Sequence, residues 1–481
     1  MGSDGAILAI DQGTTGTRCI VFDRRMRALA SAYREHRQHF PQPGWVEHDP
    51  QEIWEAAHAV AGEALRVAAV EPGALAAVGI TNQRETVCVW DRSTGEPLHR
   101  AIVWQDRRTA ERCERLRAAG HERLVRERTG LVLDPYFSAT KLEWLLEHVP
   151  ALRERAAQGD AAFGTIDSWL VFKLTGEHVT DLSNASRTLL CDIARGRWDQ
   201  ELLDLFGGIP ERALPQICPS AGALATTRPE ALHGHAATVA GIAGDQQAAL
   251  FGQACTVEGM GKNTYGTGSF VLLNAGRVAP APVPGLLGSV AWDLGEGPVY
   301  ALEASIFVTG AAVQWLRDGI GVIGEAGETE ALARSLEDND GVYFVPALTG
   351  LGSPHWDPDA RGTIFGLTRG STRAHLARAA LEAMAYQTLD AVKAMEGAAP
   401  HALSELRVDG GASANDWLMQ FQADILGVPV LRPAVLESTA LGAAQLAAVG
   451  SSLMSAEEVG GGWHAAARFE PRMSAERRDS L

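Results

Sequence analysis

The chain opens with an apolar run, Ala6-Ile7-Leu8-Ala9-Ile10, closed by Asp11. A polar Gly/Thr stretch follows from Gln12 to Thr17, and then a second run, Cys19-Ile20-Val21-Phe22. Two apolar runs around turn residues predict a β-hairpin, not a strand-to-helix loop. The pattern recurs over 262–274, where Asn263-Thr264-Tyr265-Gly266-Thr267-Gly268 precedes Ser269-Phe270-Val271-Leu272-Leu273. Helical periodicity runs from Asp49 to about Val70, with Asp49-Pro50 as cap and first turn. Residues 76–81 read as a short buried strand, and a helix carrying Lys141, Trp144 and Leu145 follows Tyr136. Residues 238–242 read as a strand that enters Gly244-Asp245-Gln246-Gln247 and a helix through Ala248, Ala249 and Leu250. Further on, helices are predicted over 311–317 and 375–395. A strand over 406–408 enters Asp409-Gly410-Gly411-Ala412-Ser413-Ala414-Asn415, then a helix through Trp417, Leu418 and Phe421. Alternating strands and helices give an α/β class. The echo between the two hairpins suggests two related halves, 1–250 and 251–481. After Ser455 the chain turns Gly-rich and then Arg/Glu-rich, which predicts a less ordered tail.

At 481 residues the chain can hold two large domains or about three average ones. Its net charge of −17 makes it a poor binder of nucleic acid or anionic membranes. No 18-residue apolar run is present, and the first apolar stretch is cut by Asp11, so neither a membrane span nor a secretion signal is expected. The six cysteines, Cys19, Cys88, Cys113, Cys191, Cys218 and Cys255, form no CxxC pair. A cytoplasmic, reducing setting is expected. Asn184-Ala185-Ser186 is a formal glycosylation sequon without significance in that setting.

The first hairpin carries the first candidate chemistry. Glycines let backbone N–H groups converge on phosphate oxygens, Thr14 and Thr15 add hydroxyl donors, and Arg18 adds charge. Asp11, at a strand end, suits Mg²⁺. A plain tight turn is the simpler alternative. Asp245 opens a helix, where a carboxylate either caps it or accepts a proton from a substrate hydroxyl. Two short-loop carboxylates with Gly/Thr turns suit metal-assisted phosphoryl transfer. Asp409-Gly410-Gly411 lets a flat ring approach the backbone, or it serves only close packing. Gly319-Ile320-Gly321-Val322-Ile323-Gly324 matches GxGxxG but follows a helix, which fails the dinucleotide test. His233 and His235 lack further ligands for a metal site.

Ile80-Thr81-Asn82-Gln83-Arg84-Glu85-Thr86, the first hairpin and Gly244-Asp245-Gln246-Gln247 together resemble the FGGY carbohydrate-kinase family. Pro43 to Pro50, Val103 to Thr109, Asp134 to Ser138, Asn263 to Gly268 and Arg361 to Gly370 extend the likeness over nearly the whole chain. The resemblance implies two ribonuclease H-like domains of the actin/hexokinase/Hsp70 type around a central cleft. It implies a polyol site in the first domain and an adenosine site in the second. The stretches resemble its glycerol-phosphorylating members. They imply ATP- and Mg²⁺-dependent transfer to glycerol, giving sn-glycerol 3-phosphate, by a homodimer or homotetramer. Arg84, Glu85, Tyr136, Asp245 and Gln246 would hold glycerol, with Trp104 and Phe270 as walls. Asp245 would be the base, and Asp11 and Asp245 would face the metal. Thr14, Thr15, Arg18 and Thr267 would hold phosphates, and Gly310, Gln314, Gly411 and Asn415 would line the nucleotide site. A sibling kinase for another polyol or a ketose is the alternative, and a non-kinase ATP-dependent clamp on the same fold is a third reading. Two regulatory features of some members are missing. Residues 225–239 contain no Gly-Gly-Lys-Gly-Gly effector loop, and His233 and His235 lack aromatic flanks.

Overall fold

The computed structural model describes residues 5–357, 359–398, 401–435 and 437–481. Two large sheets organise them. The first contains six strands, ordered Ala221–Thr226, Thr238–Gly244, Leu75–Asn82, Ala6–Gln12, Gly16–Phe22 and Ala28–Glu35. The second contains seven, ordered Leu287–Asp293, Pro298–Ile306, Ser269–Gly276, Gly261–Tyr265, Leu406–Asp409, Val430–Pro433 and Ala465–Phe469. Both sheets share one plan. A hairpin and one further antiparallel strand stand beside two parallel strands. The echo between hairpins is therefore an echo of whole sheets.

The strand Ala6–Gln12 is buried on both faces because elements cover both. Helix Pro50–Val67 lays Ile53, Ala57, Val60 and Ala64 on one face, and the Asp49 side chain caps it at Gln51 N. The opposite face is covered by Ser438–Gly450, a helix from late in the chain. Its Ala440, Ala443, Ala444 and Ala447 pack on Ile7, Ala9, Ile20, Ala77 and Ala240. Small residues allow this depth. A Cβ on Gly79 would lie 2.1 Å from Ala443 O, and one on Gly442 would lie 1.8 Å from Ala248 O. A helix from the second half of the chain thus completes the core of the first.

The expected helices and strands fall within a few residues of their predicted bounds, with two departures. Helix Gly310–Gln314 runs on into a wider π turn, Trp315–Gly319. The tail is regular where composition predicts less order. Ser455 caps helix Ala456–Gly461 through a capping box, and Ala465–Phe469 pairs antiparallel with Val430–Pro433 as an edge strand. The local Gly and Arg content hid a pairing made with a remote strand. Among the described residues no helix is long and apolar enough to cross a membrane. All six cysteines are free thiols.

Candidate active site

The first hairpin closes on a Gly13 N to Gly16 O bond of 2.9 Å and leaves Thr15 exposed at its tip. Thr14 Oγ1 accepts from Trp104 Nε1 at 2.9 Å, which fixes the indole against the hairpin. Asp11 and Arg18 are cross-strand partners, and Arg18 is ion-paired with Glu437 at the entry to the late helix. Burial, with Asp245 and Glu437 nearby, pushes the Asp11 carboxyl up to about 7. Asp11 and Asp245 thus face each other as like charges, an arrangement that a divalent cation would relieve. No group of three or more ligating side chains is present among the described residues. Two facing carboxylates suit Mg²⁺, which takes one or two and completes its shell with water and phosphate oxygens.

The strand Leu75–Asn82 ends beside this hairpin, where Gln83 N donates to Gln12 O at 2.7 Å. Arg84 and Glu85 follow, 3% and 1% exposed, so their charges must be satisfied inside the protein. Arg84 Nη1 and Nη2 donate to the two carboxylate oxygens of Glu303 at 2.6 and 3.1 Å. Its Nε lies 3.1 Å from Asp245 Oδ1, and Nη1 also reaches Gln247 Oε1 at 3.3 Å. Arg187 Nε donates to Glu85 Oε1 at 2.7 Å, and Arg187 Nη2 donates to Glu303 Oε1 at 3.2 Å. Burial pushes the Glu303 carboxyl up, but Arg187 and Arg84 outweigh it and hold it down at about 2. For Glu85 burial wins over Arg187 and Arg84, and its carboxyl is raised. Glu85 also takes a left-handed backbone, φ 62°, a strain of about 1–3 kcal/mol of the kind that collects at functional sites.

Tyr136 meets Trp104 edge-on at 5.5 Å, and the Arg187 guanidinium lies 5.7 Å from its ring centre. Its loop is pinned by buried Lys141, whose Nζ donates to the carbonyls of Pro135, Tyr136 and Phe137. Burial lowers that ammonium to about 8. Asp245 is the first residue of helix Asp245–Gly252, and Gly244 takes the cap position. Its Oδ1 accepts from Gln246 N at 2.7 Å, so this oxygen is fixed, while Oδ2 has no partner among the described residues. Gln246 Oε1 accepts from Lys262 Nζ, which also donates to Thr264 Oγ1 at 2.8 Å. Lys262 thus joins this helix to the second hairpin, and burial lowers it to about 8. Phe270 stands 5.9 Å below the Arg84 guanidinium. The expected polyol residues therefore form one contiguous cluster.

The expected nucleotide residues fall into two groups. Thr14, Thr15 and Arg18 belong to the first hairpin, described above. Thr267, Gly310 and the Gly410-Gly411 turn meet at the second hairpin, with Gln314 and Asn415 on the elements that follow Gly310 and Gly411. Thr309 N and Ala311 N both donate to Thr267 O at 3.0 Å, and Gly310 N donates to Gly266 O at 3.1 Å, which docks helix Gly310–Gln314 on the turn. Only glycine fits there, since a Cβ on Gly310 would lie 2.5 Å from Gly266 O. Gly410, at φ 84°, crosses Tyr265 at a range that excludes a side chain, whereas Gly411 faces open space. Asn415 caps helix Asp416–Leu426 through Leu418 N at 2.9 Å and donates to Thr329 Oγ1 at 3.3 Å. Asp409 is 2% exposed; its Oδ2 accepts from Gln253 and Ser438, and its Oδ1 is buried without a partner.

Sequence reading did not single out Glu303, Arg187, Lys262 or Glu437. Glu303 had a signal: it is a lone carboxylate within the apolar strand Pro298–Ile306. Arg187 lies directly beyond the formal sequon. Asn184 of that sequon is 1% exposed and bonded to Asn82 and Asp181, so no glycan can attach to it in the folded chain.

Comparison with known proteins agrees with this layout. The FGGY family of carbohydrate kinases matches residues 6–252 with its N-terminal domain and residues 261–451 with its C-terminal domain. A glycerol kinase from Citrifermentans bemidjiense is 58% identical over 478 residues, 99% of this chain and 96% of the relative. One from Dechloromonas aromatica is 58% identical over 482 residues, 100% of this chain and 96% of the relative. The crystal structure of Plasmodium falciparum glycerol kinase with ADP superposes with a TM-score of 0.95 at 36% identity, covering 100% of this chain and 96% of that one. With two sheets of one plan, paired hairpins and full-length likeness, the chain belongs to the FGGY family of carbohydrate kinases.

Proposed function

We propose that the chain transfers the terminal phosphoryl group of ATP to a terminal hydroxyl of glycerol, giving sn-glycerol 3-phosphate. The observation that carries the reading is the Asp245 carboxylate. Arg84 Nε and Gln246 N hold one oxygen, and the other is left without a partner among the described residues. In the mechanism we propose, that free oxygen takes the proton of the attacking hydroxyl as the phosphoryl group transfers. Glu85 accepts from a second hydroxyl. Tyr136, Trp104 and Phe270 bound the carbon chain, and Gln246 adds a polar contact. A site built to pair hydroxyls rejects analogues that lack them. Thr14, Thr15 and Arg18 on one hairpin and Thr267 on the other orient the phosphates, and Gly310, Gln314, Gly411 and Asn415 accommodate the nucleoside. Asp11 and Asp245 would hold Mg²⁺, which when bound neutralises charge on the phosphate oxygens. Closure of the two halves would keep water from competing for the phosphoryl group.

The full-length likeness to glycerol kinases at 58% identity supports glycerol over a ketose or another polyol. We place the domain boundary near residue 250, the protein in the cytoplasm, and its assembly as a homodimer or homotetramer, to be read by light scattering. The test of function is ADP formation from Mg·ATP with and without glycerol, with the product identified by mass. ADP formation that requires glycerol and yields glycerol 3-phosphate is expected. Formation at the same rate without glycerol would overturn the proposal.

A further inference from the structure

Glu303 belongs to the second sheet, yet its carboxylate lies among residues of the first half. It is fully buried, its two oxygens engage the two Nη atoms of Arg84, and one of them also accepts from Arg187. Arg84 holds Asp245, and Arg187 holds Glu85. One side chain from the second sheet therefore stands behind both carboxylates expected at the polyol. The hydrogen-bond inventory makes this arrangement specific. Arg84 has five N–H donors: Nε faces Asp245, both on Nη1 are directed at Glu303 and Gln247, and one on Nη2 goes to Glu303. On the two Nη atoms a single donor, on Nη2, is left for a ligand. Without Glu303, Arg84 could turn its fork onto Asp245 and take up the oxygen that is otherwise free. Arg187 Nη1 is buried with no partner, so the second guanidinium has no spare acceptor to replace Glu303.

We propose that Glu303 is a positioning residue of the polyol site, which orients Arg84 and Arg187 from the opposite half and so keeps Asp245 Oδ2 and Glu85 open to the substrate. This rests on the glycerol reading above. Glu303 touches no reacting atom. Its influence passes through the two guanidinium groups, and it makes the polyol site depend on the seating of the two halves. The low carboxyl of Glu303 agrees with a permanent anion in that place. The nucleotide groups on the two hairpins make no bond to it.

The test is steady-state kinetics of Glu303→Gln, a shape-preserving change that removes the charge but keeps one acceptor oxygen. KM for glycerol is expected to rise at least tenfold and kcat to fall, while KM for ATP stays within twofold. Glycerol should also lose its ability to raise the melting temperature, whereas ADP should keep it. A merely structural role would move both substrates together and lower the melting temperature with or without ligand, and that result would overturn the proposal. So would unchanged glycerol kinetics. If Glu303→Gln fails to fold, Arg187→Lys serves, because it keeps the charge but loses the fork. It should raise KM for glycerol and leave KM for ATP unchanged, and an unaltered KM for glycerol would overturn the proposal. Wild-type protein without glycerol-dependent ADP formation would instead refute the function itself, so the two failures are distinguishable.

Discussion

Replacing Asp245 by Asn removes a charge and a base while keeping most contacts. The Asn Oδ1 can still accept from Gln246 N, which donates to Asp245 at 2.7 Å, and keeps its place 3.1 Å from Arg84 Nε. Arg84 keeps both bonds to Glu303, so no buried cation is stranded. Asp245 is part-exposed, and the stability cost should stay below about 1 kcal/mol. The chemical cost is larger. A positioned general base is worth about 10²–10⁴ in rate, which is ~2.7–5.4 kcal/mol at 1.36 kcal/mol per tenfold. The expected variant is folded, binds ATP normally and loses kcat by that factor. The assay is coupled ADP release at saturating glycerol, beside a nucleotide titration and a Mg²⁺ titration. Near-normal kcat would remove Asp245 as the base. Recovery at high Mg²⁺ would assign it to holding the metal instead.

Asp11→Asn tests the like-charge site by its pH dependence. The folded carboxyl sits at about 7 against 3.8 in the unfolded chain, so the folded state binds the proton more tightly. Stability from this group is complete below pH 3.8 and is lost as pH rises through 7. Nucleotide-free Asp11→Asn should therefore gain on its parent between pH 4 and 8, by at most ~4 kcal/mol, in urea unfolding at both pH values. A gap independent of pH would contradict the assignment. Gly442→Ala tests the packing of the late helix on Asp245–Gly252. Its Cβ would meet the backbone oxygen of Ala248 at 1.8 Å and should cost about 1–3 kcal/mol or more. An unchanged thermal unfolding midpoint would contradict that packing.

The two hairpins were legible in the sequence because local pattern alone specifies them: apolar runs around Gly and Thr. The whole sheets were not, since the pairing of Leu75–Asn82 with Ala6–Gln12 and of Leu406–Asp409 with Gly261–Tyr265 joins segments far apart in the chain. Likewise the Ala-rich helix Ser438–Gly450 has no strong amphipathic stripe, because Ala residues pack on several sides of it. Its placement on the first sheet rests on small-residue contacts that no single segment displays. Within the site, Arg84, Glu85 and Asp245 could be selected by type and context. Their support by Glu303 and Arg187 could not, because a buried ion cluster is defined by convergence of 219 and 116 residues of separation, not by spacing.

The most direct measurement is Mg²⁺-dependent ADP release from ATP by the purified protein with glycerol, dihydroxyacetone, erythritol, xylulose, ribulose or water alone. A pocket in which Arg84, Glu85 and Asp245 pair hydroxyls should give a high rate with glycerol, a weak one with dihydroxyacetone and a rate near zero with the rest. Preference for a larger sugar would contradict the glycerol assignment while keeping the fold, and ADP release indifferent to every polyol would contradict kinase function altogether.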